Sequence, residues 1–161
     1  MPQLHIDAAK PNDVPVIHEM ITELSDHLGL GHEVVATEAD IYNALFGPER
    51  SAEVLLARVA GAAVGFALYY RNYSTFRGRC GIHLEDLYIR PQARGQSVGR
   101  RLMEELARIT LARGCTRLEW WVLADDEDAV GFYERMGAIA KDEWTVFRLR
   151  GKALHALAGQ P

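Results

Sequence analysis

A short glycine-containing run, Arg94 to Arg100, carries the clearest chemical signal in this sequence. It reads Arg-Gly-Gln-Ser-Val-Gly-Arg and opens an amphipathic helical pattern at Val98. The first N–H groups of a helix have no partner within it, and the helix dipole adds partial positive charge there. Gly95 and Gly99 allow close backbone approach to an anion, and the terminal arginines add charge at the rim. The run predicts a site for several phosphate oxygens.

Other phosphate and metal motifs are absent around this run. No Gly-Lys-Ser/Thr follows the glycines, and the Gly-x-Gly-x-x-Gly spacing is missing, which excludes a P-loop and the dinucleotide fingerprint. A turn that only begins a helix remains the alternative at this point. The six histidines are scattered singly without metal-ligand spacing, so we expect no metal site and assign them surface or packing roles. Cys80 and Cys115 lie far apart, and we expect reduced thiols with a packing role.

The apolar spacing on either side of the run predicts alternating strands and helices. The predicted strands cover residues 4–6, 53–59, 62–70, 82–89, 118–123 and 144–149. The predicted helices cover residues 12–29, 37–46, 98–113 and 126–136. We expect a tight turn at Ala60–Gly61 and an exposed loop over 71–79. The central strand–helix–strand unit is expected to be parallel and right-handed.

Composition restricts the class of protein. At 161 residues, 48% hydrophobic and 25% charged, the chain is expected to form one domain over residues 1–161. A formal charge of -4 without a basic stripe argues against a nucleic-acid partner. No stretch approaches the roughly 18 apolar residues that a membrane span needs. The start of the sequence lacks the basic and apolar regions of a signal peptide, so we expect a cytoplasmic protein.

Three segments together resemble the GNAT superfamily of acetyltransferases: Leu84–Pro91, Arg94–Gly99 and Gly131–Ala138. The family signature is Gln/Arg-x-x-Gly-x-Gly/Ala, followed later by an aromatic-Tyr pair before Gly-Ala. Arg94 and Gly99 match it, whereas Ser97 replaces the middle glycine. Along nearly its whole length the chain is similar to the diamine (spermidine/spermine) and thialysine N-acetyltransferase branch.

The resemblance implies an α/β fold with a mixed, twisted sheet that is flanked by helices and splayed at the acetyl-CoA site. It also implies a homodimer that uses acetyl-CoA and no metal. The pantetheine arm is expected to pair with the main chain of Leu87, Tyr88 and Ile89. The remaining positions that the resemblance assigns to the cofactor are Arg94, Gly95, Gln96, Ser97, Val98, Gly99, Arg100, Asp126 and Tyr133. Relatives carry Asn where this chain has Asp126.

The same resemblance assigns the chemistry. Tyr133 matches the general acid that protonates the leaving thiolate, and Glu85 matches the base, acting through water. Asp86 matches a position that attracts the substrate's positive charge. An ideal strand turns it to the opposite face, and a β-bulge there is one way to redirect it. A main-chain N–H near Tyr88 would polarise the carbonyl oxygen. Trp121 is a candidate wall of the acceptor pocket.

Each of these residues has a plainer interpretation. The two adjacent carboxylates, Glu85 and Asp86, fit a solvated strand end as well. Tyr133 also fits an aromatic residue at the edge of the core. Trp120 and Trp121 point to opposite faces of their strand, so at least one is expected to be core.

The predicted activity is acetyl transfer from acetyl-CoA to the primary amine of a small molecule such as thialysine, a diamine or an amino acid. Polyamine enzymes place Tyr-Glu where this chain has His27-Leu28, which removes a carboxylate suited to a second ammonium. Two alternatives remain open: acetylation of peptides or proteins, and a regulatory module that binds acyl-CoA without turnover.

Overall fold

The computed structural model describes residues 3–160, in which the chain folds into two units, 3–121 and 122–160. The first unit contains a five-stranded sheet in the order β1 to β5. Its strands are β1 Leu4–Ala8, β2 Glu53–Val59, β3 Ala62–Ser74, β4 Arg79–Ile89 and β5 Leu118–Trp120. The first four run antiparallel, and β5 pairs parallel to β4. The mixed sheet and the parallel strand–helix–strand unit confirm the sequence prediction.

Helices cover both faces of the sheet. They are α1 Val14–His27, α2 Glu38–Phe46 and α3 Val98–Ala112. Apolar residues of α1 and α2, including Ile17 and Leu45, form one cluster with Phe66 of β3. Leu102 and Leu106 of α3 are fully buried outside that cluster, and α3 contacts all five strands. Because strand side chains alternate between faces, α3 occupies the other layer.

Local chemistry explains the turn between β2 and β3 and the start of α2. Ala60 and Gly61 both have positive φ, 50° and 83°, as a two-residue hairpin loop requires, which confirms the predicted turn. Thr37 caps α2 as expected, accepting a hydrogen bond from the Asp40 N–H. The predicted loop over 71–79 is wrong in extent: β3 continues to Ser74 and β4 starts at Arg79. Pairing between the two long arms outweighs their polar composition.

A register shift interrupts the pairing of β3 with β4. Leu84 lies opposite Tyr69 and Asp86 lies opposite Leu68, so Glu85 is an extra residue on β4. This is a β-bulge of the kind that redirects Asp86. After the bulge, Tyr88 packs in the same cluster as Phe66, its partner on β3.

A disulfide joins Cys80 at the start of β4 to Cys115 before β5, with an S–S distance of 2.08 Å. The expectation of two reduced thiols is therefore wrong. Parallel pairing of Ile82 with Leu118 brings the residues just before them together, and the Thr116 N–H donates to the Cys80 carbonyl. A separation of 35 residues concealed this neighbourhood in the sequence.

The second unit contains α4 Glu127–Glu134 and α5 Gly151–Leu157. The predicted strand over 144–149 is wrong, because these residues adopt no regular structure and pair with no strand among residues 3–160. Their apolar side chains are nevertheless exposed, to 72% at Trp144 and 93% at Phe147. The alternating pattern specifies a strand only where a neighbouring strand completes its hydrogen bonds. None of the helices in residues 3–160 has the length and hydrophobicity that a bilayer crossing needs.

Candidate active site

The open edge of β4 is the centre of the candidate site. β5 pairs with β4 only from Ile82 to Leu84, whereas β4 continues to Ile89. From Glu85 onward, β4 is paired on one side by β3 alone. Among residues 3–121, the main chain of Leu87, Tyr88 and Ile89 therefore lies along a strand edge that β5 does not cover. This is the splay that the sequence analysis expected.

The run that follows β4 forms a turn and then the start of α3. Gly95 has φ of 74°, and Ser97, the residue before Val98, has φ of 61°. Ser97 is in the left-handed region, where its hydroxyl makes no capping hydrogen bond to the helix. The N–H groups of Val98, Gly99 and Arg100 at the first turn therefore have neither helical partners nor this cap. The loop has the backbone form of an anion site.

The side chains of this loop are less free than the sequence implied. Arg94 donates from Nε to the Ile89 carbonyl, 2.9 Å away, and its guanidinium lies 5.8 Å from the centre of the Tyr88 ring. Arg100 pairs with Glu104 at 3.0 Å, so part of its charge is already balanced. The Gln96 amide donates to the Gln92 carbonyl. The backbone amides are therefore the principal hydrogen-bond donors that this loop offers to an anion. The Arg94 side chain lies between the loop and β4.

The bulge places two carboxylates at the upper end of the open edge. The side chain of Glu85 is half exposed at 49%. Burial, with a smaller contribution from the Glu85 charge, raises the pKa of Asp86 from 3.8 to about 6. Asp86 therefore remains mostly anionic at pH 7.

Three rings beside Glu85 complete this end of the site, and sequence reasoning identified only one of them. His83 is buried at 7% exposure, and its Nε2 lies 3.4 Å from Oε2 of Glu85. Tyr70 lies opposite His83 on β3, with ring centres 4.9 Å apart. The half-exposed Trp121 meets His83 edge-on at 5.4 Å. The His-x-Glu spacing on a strand was the signal for His83, because residues two apart share a face.

Tyr133 and Asp126 belong to the second unit. Tyr133 lies on α4, where burial and then the negative charge of Asp126 raise its pKa from 10 to about 12. Asp126 is the N-cap of α4, accepting a hydrogen bond from the Ala129 N–H at 3.0 Å. Its predicted role beside the cofactor is thus joined by a structural one that the sequence analysis did not identify.

Within residues 3–160, no group of three or more His, Cys, Asp or Glu side chains is arranged to hold a metal ion. The first unit brings together a loop that leads to an uncapped helix start, an open strand edge and a pair of carboxylates. Such a site can bind a phosphate-bearing ligand, hydrogen-bond an extended arm and receive a cationic group. These are the requirements of transfer from a nucleotide-linked carrier to an amine.

Named acetyltransferases are among the known proteins to which this chain is similar. The mouse (Mus musculus) thialysine N-epsilon-acetyltransferase is 33% identical over 99% of this chain and 100% of its own length. An L-ornithine N5-acetyltransferase from Arabidopsis thaliana is 27% identical over 94% of this chain and 86% of its own length. Among solved structures, an integron cassette protein from the mobile metagenome of V. cholerae superposes with a TM-score of 0.82 at 26% identity. That match covers 96% of this chain and 97% of the cassette protein.

The family model agrees with these relatives. Residues 18–138 match the model of the acetyltransferase (GNAT) family, and this range contains the loop, the open edge of β4, the carboxylates and Tyr133. Because the match covers most of the chain and the relatives match it from end to end, the resemblance in the sequence analysis is confirmed. The chain belongs to the GNAT acetyltransferase family and is an acyltransferase.

Proposed function

We propose that this protein transfers an acetyl group from acetyl-CoA to the primary amine of a small molecule, with residues 1–161 working as one domain. The observation that carries the proposal is the edge of β4 from the Glu85–Asp86 bulge to Ile89, followed by the loop that leads to the uncapped start of α3. A thioester laid along that edge would have its phosphates at one end and an amine at the other. The names of the relatives, which act on thialysine and ornithine, support an amine acceptor.

The loop and strand divide the binding of the carrier between them. The amides at the start of α3 would hold the pyrophosphate, and main-chain groups of Leu87, Tyr88 and Ile89 would pair with the pantetheine arm. A main-chain N–H near Tyr88 would stabilise the oxyanion of the acetyl group. When bound, acetyl-CoA supplies the activated acetyl thioester. Arg94 adds positive charge between the two parts of the site.

Glu85 and Asp86 would prepare the amine. An alkyl ammonium has a pKa of about 10.4, so at neutral pH it must lose a proton before its nitrogen can attack. The ammonium is drawn to the Asp86 carboxylate, and its proton passes through water to Glu85. The half-exposed position of Glu85 keeps such a water within reach. The new C–N bond then forms as the C–S bond breaks.

Tyr133 would return a proton to the departing sulfur. Its pKa of about 12 keeps the phenol protonated throughout the neutral range, as a general acid requires. The phenolate left behind regains its proton from solvent after the products leave.

The acceptor is proposed to be a short, amino-acid-like amine such as thialysine, lysine or ornithine. His27 ends α1 and Leu28 follows it, so this position offers no carboxylate to a second distant ammonium. Such a site favours one cationic amine close to Asp86 over a long polyamine.

We also propose a homodimer that acts in the cytoplasm. The exposed apolar side chains at 144–149 support a second copy as their partner, because exposed apolar clusters of this kind are typical of interfaces. The proposed co-substrate is an intracellular metabolite, which supports the location.

A thiol-release assay with acetyl-CoA tests the function. The panel contains thialysine, lysine, ornithine, putrescine, spermidine and a lysine peptide. We expect the fastest release with the single amino acids. Release with the peptide alone would instead establish peptide acetylation, and calorimetric CoA binding without release from any amine would establish a regulatory module.

Tyr133→Phe tests the general acid. Turnover should fall roughly 10²–10⁴-fold, because the phenol proton is lost while the ring is kept. Tyr73→Phe is the matched control, since Tyr73 is 63% exposed at the end of β3 and has no assigned role. Equal turnover in Tyr133→Phe and Tyr73→Phe would remove the assignment.

A further inference from the structure

His83 is a buried polar side chain beside Glu85 to which the proposed reaction gives no role. It lies in the middle of β4, 7% exposed, and is opposite Tyr70 on β3. Its Nε2 lies 3.4 Å from Oε2 of Glu85, an ion-pair distance when the imidazole is protonated.

Neighbouring rings enclose the His83 side chain, whereas the Glu85 side chain is half exposed. Tyr70 lies against the imidazole at 4.9 Å with an interplanar angle of 34°, and Trp121 meets it edge-on at 5.4 Å. Glu85, by contrast, is half exposed and occupies the extra position of the bulge. A free glutamate side chain populates many rotamers, and ordering it costs conformational entropy. A fixed donor beside it selects one of those rotamers before substrate binds.

We propose that His83 is a positioning residue: its Nε2–H holds the Glu85 carboxylate toward the open edge of β4, where the acceptor amine loses its proton. This inference rests on the proposed function. Either the imidazolium or the neutral tautomer protonated on Nε2 supplies the hydrogen.

Two amide substitutions separate this role from packing. His83→Gln can place its amide N–H near the position of Nε2, whereas the shorter His83→Asn cannot reach Glu85. We expect kcat/KM for the amine to stay within about threefold in His83→Gln and to fall about 10- to 100-fold in His83→Asn. The KM for acetyl-CoA should be unchanged in both variants. His83→Phe keeps the ring contacts but lacks the donor, and should resemble His83→Asn.

A double-mutant cycle with Glu85→Gln provides the second measurement. If His83 acts through Glu85, His83→Asn should cause little further loss in the Glu85→Gln background. Losses that multiply would overturn the proposal, as would wild-type rates in both His83→Asn and His83→Phe. Equal impairment of His83→Gln and His83→Asn would also overturn it, because packing alone then explains the effect.

The outcomes distinguish this proposal from the one on which it rests. Thiol release by the wild-type protein with any of the small-molecule amines on the panel supports the function irrespective of the His83 variants. Its absence with every amine would refute the function and this role of His83 together. Should His83→Asn lose cooperative thermal unfolding, His83→Phe replaces it in both the comparison and the cycle.

Discussion

Asp126 combines two effects that one pair of substitutions can separate. Its negative charge raises the pKa of Tyr133, after the larger effect of burial, and its side chain caps α4. Asn also caps helices, so Asp126→Asn should keep the stability and remove the charge. Phenolate then forms more readily, the pKa of Tyr133 falls, and the alkaline limb of the kcat profile moves to lower pH. Asp126→Ala should show the same shift and lose about 1 kcal/mol of stability.

Urea unfolding and the pH profile of thiol release check this prediction. An alkaline limb that stays in place in both variants would mean that the Asp126 charge does not act on the general acid. A limb that moves to higher pH would contradict the sign of the interaction.

Ser97 and Ala60 are two non-glycine residues with positive φ, at 61° and 50°. A β-branched side chain at either position forces a clash in the left-handed region, so Ser97→Val and Ala60→Val should each lose about 1–2 kcal/mol of stability. Only Ser97 adjoins the amides of the proposed pyrophosphate site. Ser97→Val should therefore weaken CoA binding about tenfold or more, whereas Ala60→Val should not. Calorimetry measures the affinities, and equal affinities in the two variants would place the pyrophosphate elsewhere.

The disulfide links the start of β4 to the segment before β5 and stabilises their pairing. It closes a loop of 35 residues that contains α3, and loop-closure entropy assigns such a cross-link about 3–4 kcal/mol. Unfolding in urea should shift to lower concentration when dithiothreitol is added. The Cys80→Ser, Cys115→Ser double variant should not respond to the reductant. Thiol titration of the denatured protein without reductant should find no free thiol. Two free thiols, the state that a reducing cytoplasm favours, would contradict the disulfide.

Local signals in the sequence were sufficient for most elements. The glycine run, the apolar stripe of α3 and the Ala60–Gly61 turn are encoded by neighbours, and the structure has each of them. A bulge as one way to redirect Asp86 followed from the resemblance, and the register shift agrees with it. The cysteine pair depended on the parallel pairing of strands distant in sequence, so no local pattern indicated it.

Two further predictions differ from the structure for different reasons. The sequence predicts only a surface or packing role for His83, because a single histidine has little meaning until its strand neighbours are known. The segment predicted as a strand over 144–149 is rich in apolar residues but pairs with no strand in residues 3–160. Periodicity reports which side chains are apolar; it does not supply the partner that a strand requires.

The exposed apolar residues at 144–149 bear on the proposed assembly of two copies. If a second copy covers them, Phe147→Asp should weaken the dimer by about 2 kcal/mol, or roughly 30-fold in dissociation constant. Phe76→Asp is the matched control, since Phe76 is 95% exposed in the β3–β4 turn. Light scattering across a dilution series measures the mass. A monomeric wild-type protein, or a dimer unaffected by Phe147→Asp, would contradict the proposed assembly.

The extra residue in β4 gives that strand two phases. Before it, Leu84 faces one layer of helices together with Tyr69; after it, Tyr88 faces the other layer together with Phe66. Removing a single residue between positions 84 and 87 would therefore turn the side chains along half the strand to the opposite face of the sheet. The number of residues in this part of β4 is therefore as much a requirement of the site as the identity of either carboxylate.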